Sequence, residues 1–142
     1  MDQTAPGGAS PNRVEAVVRR PGSDPNVFGG LAKINVETGK IDLIYKGKAS
    51  GNSAVVATAG DVVFWGDVAG VFRAFDAVNG KVLWENNLGA VVQNSTITYA
   101  VGGRQYVAVM TGEGLLTGPV IQLSNATPAR SRNSLHVFAL PK

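Results

Sequence analysis

One seven-residue stretch of this chain occurs twice. Asn35-Val36-Glu37-Thr38-Gly39-Lys40-Ile41 lies over Asp76-Ala77-Val78-Asn79-Gly80-Lys81-Val82 at an offset of 41 residues. A repeat of about 40–50 residues built from short strands has the spacing of a four-stranded propeller blade. Each copy has the chemistry of a tight turn. The side-chain oxygen of Asp76, or of Asn35, can accept backbone N–H bonds from the residues that follow it. Gly80, or Gly39, supplies the positive φ that closes the hairpin. An apolar residue then restarts the next strand. The Gly-Lys pair is shared, Asn35 replaces Asp76 with the same capping geometry, and Leu43 stands where the second copy has Trp84. The first copy is therefore degenerate.

The surroundings of the repeat agree with it. From Val27 onward the chain is a series of short β-type runs at 27–36, 40–45, 54–58, 62–66, 71–76, 82–86, 95–99, 105–111 and 135–140. They are punctuated by Thr38-Gly39, Ala59-Gly60-Asp61, Ala69-Gly70, Asn79-Gly80 and Gly102-Gly103. Evenly spaced short strands of this kind predict an all-β barrel, sandwich or propeller. No window shows a convincing helical period. Runs such as Ala54-Val55-Val56-Ala57 and Val107-Ala108-Val109-Met110 are apolar on both faces, which predicts strands covered on both sides, as propeller blades are. Only 16% of residues are charged, in keeping with much of each strand being buried. The expected fold is all-β: a partial propeller of two to three four-stranded antiparallel blades over 27–142. Residues 1–26, rich in Pro, Gly, Ser, Asp and Asn with one apolar stretch at 14–18, read as a poorly ordered arm or loop.

Several function classes drop out. The chain has no cysteine, so disulfides, thiolate catalysis and thiolate metal sites are excluded. A net charge of +3 with scattered basic residues makes no nucleic-acid surface; Arg19–Arg20 and Arg130/Arg132 read as solvated loop arginines. No apolar run approaches the roughly 20 residues of a membrane span. The stretch 1–12 lacks the apolar core of a secretory signal, and the blade count favours a chain that is part of a longer one. His136, the only histidine, reads as an exposed or edge-strand residue without ligand partners. Asp61, Asp67 and Asp76 all fall at turns and read as caps, not as an acid/base pair. Ser95 and Ser134 have no histidine at a nucleophile spacing.

Residues 74–89 carry the pattern A-x-D-x-x-x-G-K-x-x-W-x-x-x-x-G complete, with six specified positions. This resembles the tryptophan-docking motif of the quinoprotein alcohol dehydrogenases, whose indole packs between adjacent blades. Trp84 is accordingly expected to be a packing residue. Thr58-Ala59-Gly60-Asp61-Val62-Val63-Phe64-Trp65-Gly66-Asp67 is similar to a strand pair near the end of the methanol and ethanol dehydrogenases. Ile97-Thr98-Tyr99, Gly103-Arg104-Gln105-Tyr106-Val107-Ala108-Val109 and Leu135-His136-Val137-Phe138-Ala139-Leu140-Pro141 resemble their later strands.

The resemblance implies a periplasmic enzyme that holds PQQ with Ca²⁺ or a lanthanide and oxidises a primary alcohol to the aldehyde. It also implies electron transfer to a cytochrome c. The family's catalytic Asp, metal ligands, vicinal cysteines and stacking Trp belong to blades that precede this sequence, so no catalytic or metal residue is assigned here. The one stretch that resembles a cofactor-facing loop is 111–119, with Gly112, Gly114, Leu115 and Leu116 as candidate PQQ contacts. Leu116 stands where the family has a tryptophan. An ordinary glycine turn is the alternative reading of this stretch. About two and a half blades cannot close a ring that needs at least about four. The expected partners are therefore the remaining blades or further copies of the chain. A non-catalytic interaction or scaffold module derived from a propeller is the competing functional reading.

Overall fold

The computed structural model describes residues 18–114, 117–130 and 133–141, and for Asn94 the backbone alone. The two copies of the repeat form two hairpins of one design. Strand β1 (Gly29–Ile34) pairs antiparallel with β2 (Ile41–Gly47), and β6 (Val71–Asp76) with β7 (Val82–Asn87). In the first turn Asn35 Oδ1 accepts the N–H groups of Glu37 and Thr38 at 3.0 and 2.9 Å. In the second, Asp76 Oδ1 accepts those of Val78 and Asn79 at 2.8 and 3.1 Å. The carbonyls of Asn35 and Asp76 then accept the N–H of Gly39 and Gly80 at 2.8 and 2.9 Å. Those glycines sit at φ 70° and 74°, where a Cβ is disfavoured. The turn chemistry expected from the repeat is what forms.

Between and after these hairpins lie β3 (Asn52–Ser53), β4 (Val56–Ala57), β5 (Val62–Gly66), β8 (Val92–Val101), β9 (Arg104–Thr111), α1 (Thr117–Ser124) and β10 (Ser134–Ala139). They assemble into three sheets: β1-β2, β4-β5-β6-β7 and β10-β9-β8-β3. Pairing is antiparallel throughout except between β3 and β8, where Asn52 and Ser53 run parallel to Gln93 and Asn94. The last sheet thus gains its fourth strand from before the middle blade, across which the chain has to travel.

The central strands of the middle sheet, β5 and β6, are buried on both faces, which their alternation explains. Phe64, Phe72 and Ala74 face Val92, Val107 and Val109 of the last sheet. Val63, Trp65 and Phe75 face Leu31, Ile44 and Tyr45 of the first hairpin. Phe72 and Phe75 are completely buried, and each contributes about 2–3 kcal/mol from area alone. Trp84 lies on the same face as Ala74, its register partner, and meets Phe138 of β10 edge-on at 5.0 Å and Phe72 at 6.2 Å. It joins the middle sheet to the last one.

Two expectations fail. The runs 54–57 and 107–110 are not covered on both sides: β4 has two residues, pairs only with β5, and leaves Val55 55% exposed, while Met110 of β9 is 44% exposed on the outer face of its sheet. An apolar run at the rim of a sheet looks the same in sequence as one at its centre. The second miss is α1, for which no helical period was visible. Its buried residues are Thr117, Ile121 and Ser124, so only one of the three is apolar, and two turns are too short to show a period. Ile121 packs on Ala49, Val68 and Val91 in a third, smaller cluster.

Candidate functional site

The turn between β5 and β6 organises the chain around it. Asp67, 3% exposed, accepts the N–H groups of Ala69 and Val71 on Oδ1 at 2.9 and 3.1 Å. This is the capping role expected of it. Its second partner is not visible from sequence: Oδ2 pairs with the Arg73 guanidinium at 2.6 Å, and Arg73 Nε reaches Glu85 at 3.1 Å. Residues 67 and 73 are not at a recognisable spacing for an ion pair; the hairpin folds one over the other. Burial works against the charge on Arg73, but the hydrogen bond and the charge of Asp67 outweigh it and raise the pKa above the ordinary arginine value. The main chain carries this turn outward: Asp67 O accepts Val92 N at 3.1 Å, and Val91 O accepts Gly112 N at 2.9 Å.

Gly112 opens the segment expected to face a cofactor, and it is buried. A Cβ there would lie 2.5 Å from Asn133 Oδ1, and one on Gly114 would lie 2.3 Å from Gln93 Nε2. At both positions the ends of side chains from this chain occupy the space a Cβ would take, so a larger residue would have to push them aside. Leu115 and Leu116 lie outside the described residues. Beyond them Thr117 ties α1 back to the turn: its Oγ1 accepts Gly114 N at 2.7 Å and contacts Gln93 Oε1 at 3.1 Å, while its own N–H reaches Gly114 O at 3.1 Å. Glu113 pairs with Arg130 Nε at 2.6 Å, so Arg130 is not merely solvated. Arg132 lies outside the described residues. Arg19 also departs from expectation, with its guanidinium held by three backbone carbonyls.

The chemistry this chain can offer by itself is limited. Among the described residues no group of three His, Asp or Glu side chains could hold a metal ion. His136 lies on β10, at the rim of its sheet, with its Nε2 3.3 Å from Thr111 Oγ1. A cavity of about 890 Å³ opens between the middle and last sheets, against Phe72, Trp84, Val107 and Phe138. No carboxylate or imidazole lines it, and it does not include Gly112 or Gly114. The described residues do not fit a metal site, and the faces freed by Gly112 and Gly114 are filled internally. No redox step is therefore assigned to side chains of this chain.

Comparison with known proteins agrees with the blades. The family model "PQQ: Glucose/ethanol/alcohol dehydrogenase, beta-propeller domain" matches residues 26–107. A quinoprotein ethanol dehydrogenase of Pseudomonas aeruginosa is 35% identical over 117 residues, which cover 80% of this chain and 18% of that protein. A 1-butanol dehydrogenase (cytochrome c) of Thauera butanivorans is 37% identical over 89 residues, covering 63% of this chain and 12% of that one. Among solved structures, a europium-containing methanol dehydrogenase superposes with a TM-score of 0.64 at 28% identity, over 75% of this chain and 22% of its own. The chain thus spans less than a fifth of the length of these curated relatives. With the family match covering more than half of the chain, and the repeat folded as blade hairpins, the chain belongs to the glucose/ethanol/alcohol dehydrogenase family of PQQ β-propellers.

Proposed function

We propose that this chain is the C-terminal propeller segment of a periplasmic PQQ-dependent alcohol dehydrogenase. The complete enzyme oxidises a primary alcohol to the aldehyde and passes the electrons to a cytochrome c. The observation that supports this best is the second repeat. Residues 74–89 carry all six positions of the family's pattern, and they form the hairpin whose Trp84 reaches Phe138 of the next sheet. In this reading 27–142 is the blade-forming part, and 112–116 is its edge nearest the quinone. With Gly112 and Gly114 packed against the side-chain ends of Asn133 and Gln93, the described part of that edge offers backbone, not an open glycine cradle. The base and the ligands for Ca²⁺ or a lanthanide come from other blades. The chain is inactive alone, and its open ends are covered by those blades or by further copies of itself.

Two assays test the proposal together. The purified chain with PQQ and Ca²⁺ should show no alcohol-dependent dye reduction; turnover would sink the division of labour. Residues 26–142 grafted in place of the matching segment of the Pseudomonas aeruginosa relative should retain dye reduction. A folded chimera that binds PQQ yet fails to oxidise alcohols would count against the family activity.

A further inference from the structure

Helix α1 has eight residues, too few to persist without help at its ends. At its C-terminus Asn125 adopts a left-handed conformation at φ 50°. Ala126 N–H then reaches Ile121 O at 3.1 Å and Asn125 N–H reaches Gln122 O at 3.2 Å, the paired bonds of a Schellman cap. These satisfy two of the last four carbonyls and leave those of Leu123 and Ser124. Arg19, 104 residues away in sequence, donates to Leu123 O from NH2 at 2.8 Å. The same guanidinium donates from NH1 to Val27 O at 3.3 Å and Asp24 O at 3.4 Å, and lies 5.1 Å over the Phe28 ring. A cation at a helix C-terminus is favoured by the helix dipole as well as by the hydrogen bond. The other end of α1 is tied to Gly114 through Thr117.

We propose that Arg19 is a positioning residue: it extends the C-cap of α1 from the N-terminal segment and, through the helix, fixes the Gly112–Gly114 turn. The geometry for this is continuous. Arg19 holds the last turn of α1, Ser50 N–H reaches Ser124 Oγ at 3.3 Å on the neighbouring strand connection, and Thr117 holds Gly114 against Gln93. The importance of the turn for a quinone rests on the functional reading above; the latch itself does not.

Hydrogen exchange on the full chain, followed by mass spectrometry, tests it. In Arg19→Met, amides of 121–126 and of 112–114 should exchange roughly tenfold faster than in the parent, while those of β5 and β6 keep their protection. Arg19→Lys, which gives one carbonyl a charged donor but has no planar fork, should fall between the two. Unchanged exchange at 121–126 in both variants would overturn the latch. Faster exchange at 121–126 without a change at 112–114 would overturn its transmission to the turn. An equal loss of protection in β5 and β6 would make Arg19 an ordinary stability residue; should Arg19→Met not fold, Arg19→Lys decides by the same criteria. No quinone or alcohol enters the experiment, so its failure leaves the proposed function standing, and failure of the dye assays leaves the latch standing.

Discussion

Asp67 and Arg73 show how one buried carboxylate can serve a turn and a charge at once. Removing the acid strips two N–H groups of their acceptor and leaves a guanidinium buried with only the exposed Glu85 as an acidic partner beside the Tyr45 ring. Asp67→Ala should therefore cost about 3 kcal/mol in urea denaturation. Asp67→Asn, which can keep the turn bonds but not the charge, should cost less, and adding Arg73→Met to it should recover part of the loss. Additive costs in that double variant would mean that the ion pair contributes nothing beyond packing. Asp76 presents the opposite case, an exposed carboxylate whose partners are backbone amides. The N–H groups of Val78 and then Asn79 hold its pKa below the ordinary aspartate range. Its stabilisation is thus present above the unfolded pKa and is lost as pH falls through the lowered folded value. Exchange at the Val78 and Asn79 amides should accelerate across that acid window in the parent. In Asp76→Asn it should follow only the intrinsic chemistry of exchange, because Asn35 already makes the same bonds without a charge. Of these two carboxylates, the role of Asp76 was legible in the sequence because a turn is local. The partner of Asp67 was not, because only the folded hairpin brings Arg73 over it.

At the scale of the elements, the repeat supplies a matched pair of experiments. Gly39 and Gly80 occupy the same turn position with nearly the same φ. A Cβ at Gly39 meets nothing within 4 Å, whereas one at Gly80 would lie 1.9 Å from Ile44 O. Gly39→Ala should cost about 1–2 kcal/mol of backbone strain. Gly80→Ala carries the same strain and must also push its hairpin away from β2, so it should cost at least about 2 kcal/mol more. Equal thermal stabilities of the two variants would deny that β2 and the second turn are in contact. Trp84→Ala should cost about 2 kcal/mol, less than a fully buried tryptophan, since the indole is 38% exposed. The elements were legible where turn chemistry and strand alternation spoke together, as in β5, β6 and β7. They were misread where burial depends on what lies alongside: β4 is apolar but at a rim, and α1 is buried through a threonine and a serine. The Gly112–Gly114 turn was legible as a turn, but the Asn133 and Gln93 side chains that fill the space beside its glycines are distant in sequence.

On the whole molecule, the repeat also says what its two ends lack. Ile34 is the counterpart of Phe75, one repeat earlier. Phe75 is fully buried, its ring tilted against Tyr45 of the preceding hairpin at 4.8 Å, while Ile34 is 61% exposed. The same position is covered where a neighbouring blade stands before it and open where none does. The opposite end has its own uncovered face. Pairing register places Met110 opposite Leu135, Ala108 opposite both Val137 and Ile97, and Tyr106 opposite Tyr99, all on the side of the last sheet turned away from the middle one. Ile97, Met110, Leu135 and Val137 are exposed there, next to a stacked Tyr99–Tyr106 pair. Contiguous apolar surface of this kind associates in water. Because the two ends are different surfaces, a second copy would join head to tail, and assembly would not stop at a two-fold dimer. Light scattering on the isolated chain should therefore give a mass that rises with concentration, together with binding of an apolar dye. Val137→Lys should lower both by placing a charge in that contact, and Ile34→Lys should do the same from the other end. Because Val137 and Ile34 face away from the buried clusters, neither change should lower the unfolding temperature by more than a few degrees. A monodisperse monomer that binds no dye would show that these faces need no cover, and with it the claim that the chain requires neighbouring blades would fall.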